Sequence, residues 1–180
     1  FTEINPFGYT VAQNGDLFDA MDVEDSPYWQ VLMQEAHAKK IRVIPTVMWS
    51  NTEAIDRVMK SKKLRTSQIR QIVAAVKKNG FDGIDIDYES KKAETRPYFS
   101  AFLRELYAAM GNKWVMCTIE SRTPLESRFD VIPKNIEFAN DYVAINKYCD
   151  RVRIMAYDQQ SIDQRLNDLA PGPYIPVADP

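Results

Sequence analysis

An α/β fold of parallel βα units is predicted by three features of the 180-residue chain. Apolar, β-rich runs recur along it, their spacing is regular, and amphipathic helical patterns fill most of the gaps. The runs are Glu3–Val11, Ile41–Trp49, Phe81–Glu89, Trp114–Ile119 and Arg151–Asp158. Their first residues lie 38, 40, 33 and 37 positions apart.

Each element has its own local reason. After the first strand, Ser26-Pro27 reads as an N-cap followed by proline at the first helical position. Trp29, Leu32, Met33 and Ala36 then recur at helical spacing. Beyond the second strand, a short helix is expected from Thr52 to Lys60. A longer one is expected from a Thr66 cap, with Ile69, Ile72, Val73 and Val76 inward and a stop at Asn79-Gly80. Thr95 and Pro97 open the next helix, which turns Phe99, Phe102, Leu103 and Leu106 inward and ends before Gly111. Phe138–Tyr148 reads as a fourth long helix. Five strands with four crossovers fit a doubly wound sheet or a segment of a (β/α)8 barrel. A whole barrel needs ~250 residues, more than the chain has. The Pro-rich stretch 170–180 reads as an extended loop.

Composition narrows the function. With 45% hydrophobic and 27% charged residues the chain can bury one core. A net charge of −2 argues against a basic nucleic-acid binder. One His and two Cys are too few for a His/Cys zinc centre, so neither metal nor cofactor is expected. No apolar run approaches the roughly 18 residues of a membrane span, so no membrane insertion is expected. No targeting pattern is visible after Phe1.

Chemistry surfaces in Phe81-Asp-Gly-Ile-Asp-Ile-Asp-Tyr-Glu89. Side chains of a strand alternate faces, so Asp85, Asp87 and Glu89 share one face and Ile84, Ile86 and Tyr88 the other. Successive acids are about 6.6 Å apart along such a strand. Crowding and burial of like charges raise carboxyl pKa values, and a carboxylic acid still protonated near neutral pH can act as a general acid. Capping or ion pairing is the bland alternative, and an oxygen-ligand site for Mg²⁺ or Ca²⁺ is a second one.

The stretch Asp82-Gly-Ile-Asp-Ile-Asp-Tyr-Glu89 resembles the D-G-x-D-x-D-x-E signature of glycoside hydrolase family 18, the chitinase-like hydrolases. Met155-Ala-Tyr-Asp158 is similar to that family's M-x-Y-D motif on its sixth barrel strand. Asn5-Pro-Phe-Gly-Tyr-Thr-Val11 with Asn14-Gly15, and Ala144–Asp158, resemble the bacterial branch often joined to LysM domains. That branch includes spore-cortex and other peptidoglycan glucosaminidases. Ile44–Asn51 is also closer to that branch than to the S-x-G-G strand of many chitinases.

The resemblance implies a (β/α)8 TIM barrel, present as one catalytic-barrel fragment over residues 1–180 with about strands two to six. Strands one, seven and eight are then missing, leaving both outer strands as open edges. It implies a glycosidase for β-1,4-linked N-acetylglucosamine polymers, extracellular or cell-wall associated and monomeric when complete. It implies retention without an enzyme nucleophile, an exception to the usual pair of carboxylates. Glu89 would be the acid, Asp87 would orient the substrate's acetamide, Asp85 would share a proton with Asp87, and Tyr157 would donate to the acetamide oxygen. Asp158 and Met155 would border the same subsite, and Asp82 would be structural. A non-catalytic sugar-binding barrel and a metal-dependent phosphodiesterase barrel are the rival readings.

Tyr9, Trp49 and Glu120 lie near strand ends and are candidate sugar contacts, against the simpler readings of core aromatics and a surface acid. His37 is expected to be a solvated helix residue. Cys117 is expected to be a buried strand thiol, with pairing to Cys149 the less favoured alternative. The Lys60–Arg65 run is expected to be a solvated loop.

Overall fold

The computed structural model describes residues 1–122, 125–157 and 168. It divides into two compact units. The first comprises Phe1–Thr118 with Phe138–Arg153, and the second Ile119–Glu137 with Ile154–Pro180.

Proline punctuates the first two strand runs. Pro6 separates β1 (Glu3–Ile4) from β2 (Phe7–Val11), and a proline has no N–H for the ladder. A turn through Ala12–Asp16, with Gly15 at φ +95°, returns the chain as β3 (Leu17–Asp19). α1 (Pro27–Ala38) begins with proline as expected, although the Ser26 side chain makes no capping bond. Pro45 likewise splits β4 (Arg42–Val43) from β5 (Thr46–Trp49). β1 pairs with β4, and β2 with β5, both in parallel.

Asn51 caps α2 (Thr52–Lys60), accepting from the Ala54 N–H at 3.0 Å. The expected Thr66 start is corrected at α3 (Lys62–Lys78). Its cap is Ser61, whose hydroxyl accepts from the Leu64 N–H, so the helix begins five residues earlier. The basic run is therefore helical, and Arg65 is buried. Its guanidinium meets the Glu105 carboxylate through two bonds of 3.0 and 2.9 Å. β6 (Gly83–Tyr88) follows the left-handed Gly80. A 3-10 turn at Ala93–Thr95 leads into α4 (Arg96–Met110), and Gly111 at φ +65° releases the chain into β7 (Trp114–Glu120). After α5 (Leu125–Arg128), the helix expected from Phe138 begins only at Tyr142. Asp141 caps this α6 (Tyr142–Tyr148) through the N–H groups of Val143 and Ala144. β8 (Arg151–Met155) is the last strand among the described residues.

The main sheet has the order β3-β2-β5-β6-β7-β8. β5, β6 and β7 run parallel, as successive βα units do in barrels and doubly wound sheets. One expectation fails here. β3 pairs antiparallel with β2, matching Tyr9 with Asp19 and Val11 with Leu17, so this outer strand is not an open edge. Three residues make too short a run to show strand periodicity in a sequence.

The core of the first unit lies between sheet and helices. Ile84, Ile86 and Tyr88 of β6 are buried there with Ile72, Phe102, Leu103 and Leu106. Tyr88 stacks on Phe102 at 5.6 Å and meets Trp49 edge-on at 5.3 Å. Gly83 has a steric reason, since a Cβ there would collide with the Trp114 carbonyl oxygen of the adjoining strand. The expected free thiol is also corrected. Cys117 of β7 is disulfide-bonded to Cys149, with Cα atoms 6.0 Å apart. Closing a loop over a sequence separation of 32 contributes roughly 3–4 kcal/mol in the chain-entropy account.

Candidate active site

The site grows out of the alternation in β6. Three apolar side chains fix one face against the helices, so Asp85 and Asp87 must project from the other. Register sets their neighbours. Asp85 lies opposite Thr46 of β5 and Met116 of β7, and Asp87 opposite Met48 and Thr118.

Asp85 is fully buried and surrounded by donors. The Thr46 hydroxyl donates to Oδ2 at 2.9 Å, and the Thr118 hydroxyl is 3.0 Å from both carboxyl oxygens. Arg153 of β8 brings Nη1 to 3.8 Å from Oδ2. Burial pushes the Asp85 carboxyl above the usual carboxylate range, while the two hydroxyls and the guanidinium pull it back. A donor set of hydroxyls and a cation suits a carboxylate and opposes a metal at this position. Asp87 is partly buried beside it on the same face.

Glu89 follows the last residue of β6 and is partly buried. Its N–H donates to the Trp49 carbonyl at 2.8 Å, extending the ladder by one residue. The chain then turns sharply, because Ser90 adopts φ +55°. Thr52 holds that turn by donating to the Ser90 carbonyl at 2.8 Å. Lys91 donates to the Tyr88 carbonyl and lies 4.8 Å over the Phe99 ring. Bonds from α2, from the following Lys91 and from the neighbouring β5 therefore fix the backbone on either side of Glu89.

Asp82 sits outside this cluster. Its Oδ2 accepts from the Val43 N–H at 2.9 Å, which ties β4 to the entry of β6 and gives it the structural part expected. The same oxygen is 3.0 Å from His37 Nε2, so His37 is not simply a solvated helix residue.

The two aromatic candidates are corrected. Tyr9 pairs with Val47 in the ladder, and Trp49 with Tyr88, which puts both on the face opposite the acids. Both are buried. The Tyr9 hydroxyl accepts from Asn79 at the end of α3, and Trp49 packs on Tyr88. Burial with acidic neighbours raises the Tyr9 phenol well above its ordinary value. Aromatics at these positions fill the helix layer because the strand period leaves them no other face.

Met155, Tyr157 and Glu120 belong to the second unit. Glu120 ends β7 and Met155 ends β8, both partly buried, and Tyr157 is exposed two residues further on. Asp158 lies outside the described residues. Thr46, Thr118, Asn5 and Arg153 were missed in the sequence. For Thr46 and Thr118 the signal was parity, since both lie in register with the acids, whereas Asn5 and Arg153 gave none.

Residues 2–173 match the model of the glycosyl hydrolases family 18. YvbX of Bacillus subtilis, named an uncharacterized glycosylase, is 29% identical over 78% of the chain and 41% of its own length. YdhD of the same organism, provisionally named a sporulation-specific glycosylase, is 28% identical over 99% of the chain and 40% of its own length. The chain thus spans about two fifths of these curated relatives. Among solved structures, a chitinase from Bacteroides thetaiotaomicron superposes with TM-score 0.70 at 23% identity, over 88% of the chain and 46% of its own. The spore cortex-lytic enzyme SleL of Bacillus cereus does so with TM-score 0.64 at 20% identity, over 88% and 34%. These two likenesses identify the fold, and the described strands correspond to part of such a barrel.

Proposed function

The chain belongs to the glycosyl hydrolases of family 18, and on that footing we propose that it cleaves β-1,4-linked N-acetylglucosamine polymers with retention of configuration. The observation that carries this reading is the placement of Asp85 and Asp87 on one face of β6, immediately ahead of the anchored Glu89.

The roles are those that the family resemblance implies. Glu89 passes its carboxyl proton to the glycosidic oxygen as the bond from that oxygen to the anomeric carbon breaks. The carbonyl oxygen of the substrate's own 2-acetamido group bonds to the anomeric carbon, giving an oxazolinium ion. Asp87 orients that acetamide and balances its developing positive charge, and Asp85 shares a proton with Asp87. The resemblance assigns Tyr157 to the acetamide oxygen and Met155 and Asp158 to the sugar-binding set, with Glu120 a candidate contact. Glu89, now a carboxylate, takes a proton from water as the water oxygen attacks the anomeric carbon and reopens the ring.

Peptidoglycan is preferred to chitin as the polymer. Support comes from the spore-cortex and sporulation names of two similar proteins and from the branch that the sequence resembles. The Cys117–Cys149 disulfide supports an extracellular or cell-wall location, because such bonds persist in oxidising compartments. The complete protein is read as a monomer.

Substrate preference in the presence of EDTA tests the reading. N-acetylglucosamine oligomers and peptidoglycan are expected to be cut with metal removed, and cellulose oligomers, which lack the acetamide, to resist. Binding without cleavage would favour a sugar-binding barrel, and loss of cleavage in EDTA a metal-dependent enzyme.

A further inference from the structure

The proposed reaction assigns no role to Arg153, a cation on the acid-bearing side of the sheet. Its side chain is held at two points. Nη2 donates to the Asn5 Oδ1, and Nη1 lies 3.8 Å from Asp85 Oδ2. Asn5 is itself fixed, since its Nδ2 donates to the Ile44 carbonyl at 3.0 Å and contacts the Met116 sulfur at 3.3 Å. The guanidinium is therefore aimed at Asp85 by the segment joining β1 to β2.

Among the described residues, the remaining surroundings of Asp85 contain few charges. From β5 come Thr46 and Met48, and from β7 Met116 and Thr118, none of which titrates near neutral pH. Asp87 lies two residues further along its own strand. On the far side Glu3 is engaged by Arg151. Each fixed polar partner of Asp85 is thus a donor or a cation.

We propose that Arg153 is a positioning residue: it keeps Asp85 ionised beneath Asp87, so that the pair holds one proton, on Asp87, down to a lower pH than it otherwise would. An opposite charge within about 4–6 Å favours the carboxylate, and the two acids titrate as a unit. The part played in catalysis rests on the proposed hydrolase reading. A pair carrying one negative charge can balance the oxazolinium, and a doubly protonated pair cannot.

Arg153→Gln removes the charge but keeps an N–H donor for Asn5, and Arg153→Lys keeps the charge. The first test is independent of activity. Melting temperatures of the protein, Arg153→Gln, Asp85→Asn and the double variant are compared at pH 7 and pH 4. Arg153 stabilises the ionised form of Asp85, so its contribution is present above the Asp85 titration and is lost as pH falls through it. Arg153→Gln is expected to lower the melting temperature at pH 7, to do so less at pH 4, and hardly at all in the Asp85→Asn background. A variant that folds only at pH 4, or only with Asp85→Asn, is the same result in stronger form. An equal loss in both backgrounds, or unfolding in all of them, overturns the proposal.

The second test is the pH–rate profile on N-acetylglucosamine oligomers. In Arg153→Gln the acidic limb is expected to move up by about one pH unit with KM little changed, and Arg153→Lys to restore it. A folded, active Arg153→Gln with an unmoved limb also overturns the proposal. Absence of hydrolysis by the unmodified protein would refute the hydrolase reading, and the melting cycle would still decide whether Arg153 holds Asp85.

Discussion

Glu89→Gln is expected to remove nearly all hydrolysis while leaving the fold intact. The substitution keeps the shape of the side chain and deletes the proton that the departing sugar oxygen requires. Loss of a general acid costs about 10²–10⁴-fold. The backbone anchors persist, because the bonds to the Trp49 and Ser90 carbonyls do not involve the Glu89 carboxyl. Steady-state rates on an unactivated oligomer, with a melting curve as control, measure the effect. Turnover within tenfold of the unmodified protein would remove Glu89 from the role of acid.

The largest expected effect on stability is that of Phe102→Ala. Phe102 is fully buried, stacks on Tyr88 at 5.6 Å and on Phe99 at 6.0 Å, and forms the floor beneath β6. Truncating a buried Phe to Ala costs roughly 3–5 kcal/mol through lost transfer energy and the cavity left behind. That is a large share of the 5–15 kcal/mol typical of a folded domain. Tyr88 separates Asp87 from Glu89, so a cavity under it also loosens the strand that spaces the acids. Denaturant unfolding is expected to show the loss in the midpoint, and a change below about 1 kcal/mol would mean that the cluster is not a packed unit.

Parity explains both what the sequence revealed and what it concealed. The alternation of β6 placed Asp85 and Asp87 together because the period of a strand is fixed by the backbone alone. The same rule, carried to the neighbouring strands, puts Tyr9 and Trp49 on the helix-facing side. Proximity to a strand end had suggested otherwise, and register with β6 was needed to correct it. Helices with strong caps and inward stripes were legible. The start of α3 was not, because Ser61 both ends α2 and caps α3, and a one-residue junction leaves no loop to read.

Long-range contacts were the least legible. The Cys117–Cys149 bond joins a strand to the end of a helix 32 residues later, a meeting set by tertiary packing. β3 was too short to show a period. Arg153 lay inside a stretch that resembled the family, yet its meeting with Asp85 depends on how β8 lines up across β7. Residue types located the acids, and the groups that surround Asp85 became visible only with the sheet assembled.

In the proposed reaction the substrate's acetamide, rather than a protein side chain or a directly attacking water, is the nucleophile. The configuration of the first sugar product tests it most directly. Proton NMR of a fresh digest of an N-acetylglucosamine oligomer resolves the two anomers before they equilibrate. The newly formed reducing end is expected to appear first as the β-anomer, and a thiazoline analogue of the oxazolinium ion to inhibit its formation. Initial release of the α-anomer, or cleavage of cellulose oligomers at a comparable rate, would contradict it.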